Sequence, residues 1–185
     1  MRKMITVKIN GEERQYPQGA TYEDVANDYQ QEYENLIALA ARDGKIRELF
    51  KKLTRDCEVT FFTLKDDVGN KTYVRSATML FLKAVFDVYG REAAQSCRVE
   101  FAIGNGSYIS PKGKINATEE NAAKIRNRMR ELVEAKTPFL KRSYSLDNAM
   151  ELFRKEGMKD KEKLFRYRRG SFVNIYEMDG YYDYY

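Results

Sequence analysis

The sequence predicts an α+β fold built from two units. Alternating, strand-like runs meet at Asn-Gly and Asp-Gly pairs, and helix-like runs begin at Ser or Thr caps. A polar, turn-prone segment, DDVGN at 66–70, divides these patterns and is interpreted as a linker. We therefore expect one domain over residues 1–65 and a second over residues 71–185.

Two hairpins are predicted in the first unit. MITVKIN and ERQYPQG flank Asn10-Gly11, a pair typical of type I′ turns because both central residues need positive φ. The run LIALAARDGKIREL turns at Asp43-Gly44, and CEVTFFTL supplies a last β-prone segment.

One helix separates these hairpins. Thr21 followed by Asp24 resembles a capping box. Apolar residues then recur at helical spacing at Tyr22, Val25, Ala26 and Tyr29. The predicted order of the first unit is β-β-α-β-β-β, with the helix covering one face of a small mixed sheet.

The second unit is predicted to open with a helix over YVRSATMLFLKAV, residues 73–85. One face carries Ala77, Leu80, Ala84 and Val85, while Arg75 and Met79 lie one turn apart on another. The helix is expected to end near Tyr89-Gly90. RVEFAIGNGSYIS then predicts two strands around Asn105-Gly106.

Two more helices and a final hairpin follow. Thr118 caps a helix whose apolar stripe is Ala122, Ile125, Met129, Leu132 and Val133. After a short strand in PFLKRSY, Ser145 caps a helix that ends at Gly157, with its inward face formed by Leu146, Ala149, Met150 and Phe153. SFVNIYEMDGYYDYY predicts a hairpin turning at Asp179-Gly180.

Composition limits the classes of function. The chain has no histidine, and Cys57 and Cys97 have no metal-ligand spacing, so we expect reduced thiols and a cytoplasmic location. No apolar run approaches the roughly 20 residues of a membrane span. The net charge of +5 is concentrated: residues 112–169 hold 17 basic and 9 acidic side chains, whereas residues 1–65 hold 11 of each. Such a surplus attracts phosphate-bearing partners, although a solvated surface explains it equally well.

Several runs resemble known families. The first unit resembles a TGS domain, a ubiquitin-like β-grasp module. RSATMLFLKAVFDVYG, VEFAIGNGSYIS, the run from Thr118 to Gly157 and VNIYEMDGYYDYY resemble the second additional domain of threonyl-tRNA synthetase, which is related to the alanyl-tRNA synthetase editing domain. Similar pairs of domains precede the kinase domain of bacterial uridine kinase-like nucleoside kinases. The run DGYYDYY resembles those proteins more than it resembles a synthetase.

The resemblance implies that the hydrolytic site of editing domains is lost here. Such domains carry an HxxxH pair, whose positions fall at Arg75 and Met79, and a later Cys position close to Tyr185. Neither a guanidinium nor a thioether replaces imidazole as a base or a zinc ligand. We expect no catalytic residue and no metal, with Met79 in the core and Arg75 free to hold a phosphate or carboxylate.

The resemblance to nucleoside kinases also implies a longer protein. Neither GNKT at 69–72 nor GNGSYISPKGK at 104–114 has P-loop spacing, so ATP and Mg²⁺ are expected only in a downstream kinase domain in cis. The chain is then an N-terminal, non-catalytic regulatory region, with its second domain truncated at the C-terminal end.

The predicted partners are RNA of the tRNA type or a nucleotide. The candidate ligand-binding residues are Arg75, Lys83, Arg126, Arg128, Lys141, Arg142, Arg168, Arg169 and the aromatic Tyr108. One alternative is an aminoacyl-ester hydrolase of the trans-editing type that uses groups such as Asp183, Tyr184 or Cys97. A second alternative is a purely structural arm of a larger enzyme.

Overall fold

The computed structural model describes residues 3–104 and 106–184, which form two compact units. The first extends to Ser76 and the second begins at Ala77. The mixture of sheets and helices agrees with the predicted α+β class.

The first unit contains a five-stranded mixed sheet. Its strands are β1 (Met4–Ile9), β2 (Glu12–Pro17), β3 (Ile37–Arg42), β4 (Lys45–Arg47) and β5 (Cys57–Thr63). Their order across the sheet is β2-β1-β5-β3-β4, and β1 pairs with β5 in parallel. Both predicted hairpins are present, with φ of 51° at Asn10 and 48° at Asp43 and a positive-φ glycine after each.

Helix α1 (Tyr22–Tyr29) packs against this sheet, followed by a 3₁₀ turn (Gln30–Glu32). The predicted capping box is present, since Thr21 Oγ1 accepts from the Asp24 backbone N–H at 3.1 Å and the Asp24 carboxylate accepts from the Thr21 N–H at 2.7 Å. All four apolar positions predicted for the helix are buried, in one core with residues of β1, β3 and β5. The predicted element order of this unit is confirmed.

The prediction of a linker at 66–70 is wrong, because helix α2 runs from Asp67 to Tyr89. The Asp66 carbonyl accepts the first helical bond from the Asn70 N–H at 2.8 Å. Gly69 allows this start to lie against the end of β5, since a Cβ there would be 2.0 Å from the Thr63 carbonyl oxygen. The residues that suggested a turn in the sequence are thus a helix start, and the two units divide inside α2.

The second unit contains the rest of α2 and four further helices: α3 (Arg91–Ser96), α4 (Glu119–Glu134), α5 (Leu146–Lys155) and α6 (Lys159–Arg166). Strands β8 (Leu140–Ser145), β9 (Phe172–Met178) and β10 (Tyr181–Asp183) form a sheet in the order β10-β9-β8. Strands β6 (Arg98–Ile103) and β7 (Gly106–Ser110) form a separate two-stranded ribbon.

Two buried clusters hold the second unit. One joins α2, α3 and α4 with the end of β9 and the start of β10, and the other joins α5 and α6 with the centre of β9. Thr118 and Ser145 cap α4 and α5 as predicted. In the predicted α4 stripe, Ala122 and Val133 are exposed, because the helix buries a narrower face than its apolar residues cover.

The sequence analysis does not predict helices α3 and α6, since both are short and neither begins at a Ser or Thr cap. The predicted Asn105-Gly106 turn and the Cys-equivalent position near Tyr185 include residues outside the described ranges. Within those ranges, no helix combines the length and apolar character needed to cross a membrane.

Candidate nucleic-acid interface

The two positions matched to the HxxxH pair have different environments. Arg75 is exposed in the part of α2 that belongs to the first unit. Among the described residues, no acidic group lies within ion-pair distance of its guanidinium. Met79 is 2% exposed in the core of the second unit, as predicted. Arg75 is therefore available to an anionic ligand, and Met79 is a packing residue.

Lys83 is a buried cation whose ammonium is held by protein oxygens. Its side chain is 3% exposed, and Nζ lies 2.7 Å from Asp87 Oδ1, 2.7 Å from the Asp179 carbonyl and 3.2 Å from Asp179 Oδ2. Two of its three donors form hydrogen bonds, to Asp87 and to the Asp179 carbonyl, and the Asp179 carboxylate adds an ion pair. The structure gives this predicted ligand-binding residue the position of a structural cation.

Arg128 extends the same network from α4. Its Nε lies 2.8 Å from Asp87 Oδ2 and its Nη1 lies 2.8 Å from Glu131 Oε2. Hydrogen bonds to Glu131 and Asp87 raise the pKa of Arg128. These residues, with Lys83 and Asp179, are called the Lys83 cluster below. The cluster ties α2 to α4 and to the β9-β10 turn, and two of the predicted ligand-binding cations lie within it.

The remaining predicted cations are more accessible. Arg126 lies 3.4 Å from Glu119, Arg142 lies 3.6 Å from Glu177, and each side chain is more than half exposed. Lys141 stands over the Tyr176 ring at 5.6 Å.

Arg168 contacts Tyr184 through both its hydroxyl and its ring, whose centroid is 5.2 Å away, and Arg169 is exposed. Arg142 lies on β8, and Arg168 and Arg169 lie between α6 and β9. Arg126 lies on helix α4.

A cleft of about 590 Å³ opens between β7 and α4 in the second unit. The walls of this cleft are apolar where they are formed by Phe81, Ile109, Ile125 and Met129. Arg126 also lines the cleft. Phe81 follows Met79 by two residues on α2, which places it about 200° around the helix axis. Within the second unit, the cleft therefore lies on the side of α2 away from Met79.

Tyr108 lies in the two-stranded structure formed by Arg98–Ile103 and Gly106–Ser110, called the β6-β7 ribbon below. Its ring is stacked on Phe101, with centroids 5.2 Å apart and planes 23° apart. Tyr108 is 49% exposed, and Phe101 and Ile103 are 57% and 58% exposed. The sequence analysis selected only Tyr108. The alternation of Phe101 and Ile103 along β6 is the signal that identifies their shared face.

The groups proposed for a hydrolase occupy a buried polar cluster. Asp183 is 2% exposed and forms an ion pair with Lys161; it also accepts from the Tyr181 hydroxyl at 3.2 Å and the Tyr184 N–H at 2.6 Å. Burial lowers the pKa of the Lys161 ammonium, whereas the Asp183 contact favours its charged form. This carboxylate is held by donors on several sides, which favours a structural role, but the hydrolytic alternative stays untested.

Cys97 lines the cleft, where burial raises the pKa of its thiol and so favours the less nucleophilic neutral form. Within residues 3–104 and 106–184, no group of three Cys, Asp or Glu side chains is arranged to hold a metal ion.

The chain is similar to threonine–tRNA ligases over nearly its whole length. It is 27% identical to the enzyme of Thermotoga neapolitana over 187 residues, which cover 94% of this chain and 28% of the relative. It is 25% identical to the enzyme of Carboxydothermus hydrogenoformans over 93% of the chain and 28% of the relative. The match to the enzyme of Syntrophotalea carbinolica is 31% identical over 75% of the chain and 23% of the relative. No protein-family profile matches.

These similarities relate the chain to the N-terminal region of threonine–tRNA ligases and cover both structural units. The chain spans little more than a quarter of the length of the relatives that it matches.

Proposed function

We propose that this chain is a non-hydrolytic tRNA-binding region. The observation that carries the proposal is that the similarity to threonine–tRNA ligases extends through both units although the chain contains no histidine. A protein that retains the two domains without the imidazoles of an editing site retains a surface for RNA and loses the means to activate water.

The domain assignment is part of this proposal. The order β2-β1-β5-β3-β4, with β1 and β5 parallel and one helix on the sheet, is consistent with a β-grasp fold of the TGS type. The second unit corresponds in our proposal to an editing-like domain in which Arg75 and Met79 replace the HxxxH pair. The surplus of basic side chains in residues 112–169 supports an anionic partner. The proposal also keeps a cytoplasmic location, which the free thiols of Cys57 and Cys97 support.

The proposed contact groups are the accessible cations, Arg75, Arg126, Arg142, Arg168 and Arg169. Lys83 and Arg128 are excluded from the set because their donors contact protein carboxylates and a carbonyl. Exposed guanidinium groups suit phosphate oxygens, which they bind in a bidentate manner.

A uridine kinase-like parent with a downstream ATP site is a further prediction, based on the resemblance of the two domains and of the DGYYDYY run to nucleoside kinases. The sequence of the complete protein tests it directly. A P-loop beyond residue 185 would support it, and a ligase catalytic domain in that place would contradict it.

The binding test is a salt series of fluorescence anisotropy with labelled tRNA. We expect binding that persists near 150 mM salt and weakens when Arg75, Arg142 or Arg169 is replaced by alanine. Each phosphate contact that is removed should reduce the slope of log K against log salt by about 0.7 to 0.9. Lys71→Ala is the matched control, since Lys71 is an exposed α2 cation paired with Asp67 at 3.3 Å.

Two outcomes would contradict the proposal. Binding that is absent at low salt, or that responds equally to Lys71→Ala and the other variants, would mean that the basic surface is only solvated. The chain would then be a structural arm of a larger enzyme. Hydrolysis of a mischarged tRNA ester that is lost in Asp183→Asn but retained in folded Arg142→Ala would establish the enzymatic alternative.

A further inference from the structure

We infer that the β3-β4 hairpin and the start of α1 form a binding site for a phosphate group. The hairpin supplies three basic side chains, Arg42, Lys45 and Arg47, called the hairpin cations below. Helix α1 supplies the hydroxyl of Tyr22. The inference goes beyond the proposed function, because it depends neither on tRNA nor on the cations proposed to contact tRNA.

The sheet register places the hairpin cations on one face. Arg42 lies opposite Lys45 in the antiparallel pair, so their side chains point to the same side of the sheet. Arg47 lies opposite Ala40, which is two residues before Arg42 on β3 and therefore shares its face. Ala40 is buried in the core that also contains Tyr22. The three cations thus lie on the face that α1 covers, at the β4 edge of the sheet.

The charge of the hairpin cations is not compensated by nearby acids. In the described part of the chain, no carboxylate lies within ion-pair distance of any of the three. Arg42 donates to the Thr54 hydroxyl at 3.1 Å, and Arg47 donates to the Ile46 carbonyl at 3.0 Å. A guanidinium has five N–H donors, so both half-buried arginines keep donors for a ligand.

Two neighbouring groups that carry or can acquire negative charge are accounted for. Asp43, in the turn of the hairpin, accepts hydrogen bonds from Arg55 at 2.9 Å and from the Glu58 N–H at 3.1 Å. Burial raises the pKa of the Cys57 thiol, which is therefore neutral near pH 7. The hairpin cations consequently remain a local positive surplus.

The Tyr22 hydroxyl is a buried donor without a protein partner. Tyr22 is 0% exposed, and no described group meets its hydroxyl in hydrogen-bond geometry. Burial raises the pKa of Tyr22 while the charges of Arg42 and Arg47 oppose that rise, so both guanidinium groups lie close enough to act on it. An unpaired buried hydroxyl costs free energy, which a ligand oxygen that accepts its hydrogen bond would recover.

A second buried hydroxyl in the same unit provides a contrast. Tyr29 is 1% exposed, and its hydroxyl also has no hydrogen-bond partner among the described residues. Arg14 lies over its ring at 4.3 Å, but this guanidinium is 3.6 Å from Glu12 and 4.0 Å from Glu32. Acids therefore neutralise the cation beside Tyr29. Of the two environments, that of Tyr22 suits an anion.

The set of donors suits phosphate in particular. Guanidinium groups bind phosphate oxygens through paired N–H donors, and an ammonium adds a compact charge. A carboxylate has one charge and two oxygens, whereas two guanidinium groups, an ammonium and a hydroxyl match the charge and the oxygens of a phosphate. The phosphate is that of a small ester or that of an RNA, since both present the same kind of oxygen.

The first test titrates the intact chain with inorganic phosphate by calorimetry, at an ionic strength held constant with sodium chloride. Arg42→Gln and Arg47→Gln should each lower the affinity about tenfold or more. Lys45→Gln, at an exposed position, should lower it about two- to fivefold. Arg14→Gln is the matched control and should leave the affinity unchanged, because Arg14 already has acidic partners.

Tyr22→Phe separates ligand binding from packing. The substitution removes a hydroxyl that has no protein partner, so the urea midpoint of unfolding without phosphate should not fall. Phosphate affinity should nevertheless fall about fivefold, because the ligand loses one hydrogen bond. Tyr29→Phe is the control, and it should change neither quantity.

Competition identifies the source of the phosphate. Displacement of inorganic phosphate by a uridine decamer would assign the site to RNA, and displacement by ribose 5-phosphate but not by the decamer would assign it to a small ester. Phosphate affinity that is absent, that is equal in wild type and Tyr22→Phe, or that falls as much in Arg14→Gln as in Arg42→Gln overturns the site. Binding of tRNA through Arg142 and Arg169 is measured separately, so the proposed function survives that failure.

Discussion

The Lys83 cluster and the β6-β7 ribbon are two regions of one unit, and they use their chemistry in opposite ways. In the cluster, the Lys83 ammonium lies inside the protein, and protein oxygens contact both this ammonium and the Arg128 guanidinium. In the ribbon, aromatic faces lie outside, and within the described residues each of the two rings stacks only on the other.

The difference shows that the position of a residue in the sequence does not decide between structure and binding. Lys83 and Arg128 belong to the helices that also carry Arg75 and Arg126, yet their nitrogens contact Asp87, Glu131 and Asp179. Tyr108 belongs to a short ribbon, yet about half of its surface remains exposed. We therefore expect ligand binding by groups whose surfaces remain exposed, and a structural role for groups that contact other protein groups.

The strongest way to test this comparison is Lys83→Met, which keeps the aliphatic stem and removes the charge. We expect the free energy of unfolding to fall by about 3 kcal/mol, because Asp87 and the Asp179 carbonyl lose a buried partner. Urea unfolding followed by circular dichroism measures the loss. Affinity for tRNA, measured where the variant is still folded, should not change.

Lys71→Met is the control for this substitution. Lys71 and Asp67 form an (i, i+4) pair on the same helix, but their side chains are 72% and 96% exposed. Its loss should therefore change stability by no more than about 0.5 kcal/mol. Equal effects of Lys83→Met and Lys71→Met, or a loss of tRNA affinity in folded Lys83→Met, would remove the distinction between the cluster and the exposed cations.

The second prediction concerns the stability of the ribbon. Phe101→Ala and Tyr108→Ala should each lower the free energy of unfolding by no more than about 1 kcal/mol, since both rings are already half exposed. Urea unfolding of the variants measures this directly. Phe153→Ala provides the comparison, because Phe153 is fully buried and should cost about 3 to 5 kcal/mol. A loss of that size at Phe101 would mean that the ring serves packing.

The sequence predicts local features of the fold well. The turns at Asn10 and Asp43, the cap at Thr21 and the buried face of α1 are each specified by residues adjacent in the chain. Backbone preference and helical periodicity suffice for such features, since no distant partner changes them.

The sequence does not predict which polar groups meet across the fold. Lys83 and Asp179 are 96 residues apart, and only the approach of the β9-β10 turn to α2 makes the lysine a structural residue. The prediction at the start of α2 is wrong for a different reason. Asp66 and Gly69 are typical of turns, but Asp66 begins a helix and Gly69 fits against the carbonyl of Thr63, only six residues earlier. A distant partner decides the role of Lys83, whereas at the start of α2 the same local residues are compatible with either a turn or a helix start.

The smallest predicted effect concerns a charge that is hydrogen-bonded but lies in solvent, as a third case beside the cluster and the ribbon. Hydrogen bonds from the backbone N–H and the hydroxyl of Thr21 lower the pKa of Asp24 below its ordinary value of 3.8. A carboxyl group with a lowered pKa stabilises the fold above the pKa it has when unfolded, and this contribution is lost as pH falls through the folded pKa. Asp24→Asn should therefore reduce stability by about 0.5 kcal/mol at pH 7, and this difference should vanish near pH 2. Urea unfolding at both pH values measures it, with Glu23→Gln in the same helical turn as the control. A difference that grows as the pH falls would mean that the protonated carboxyl, rather than the carboxylate, is the form that caps α1.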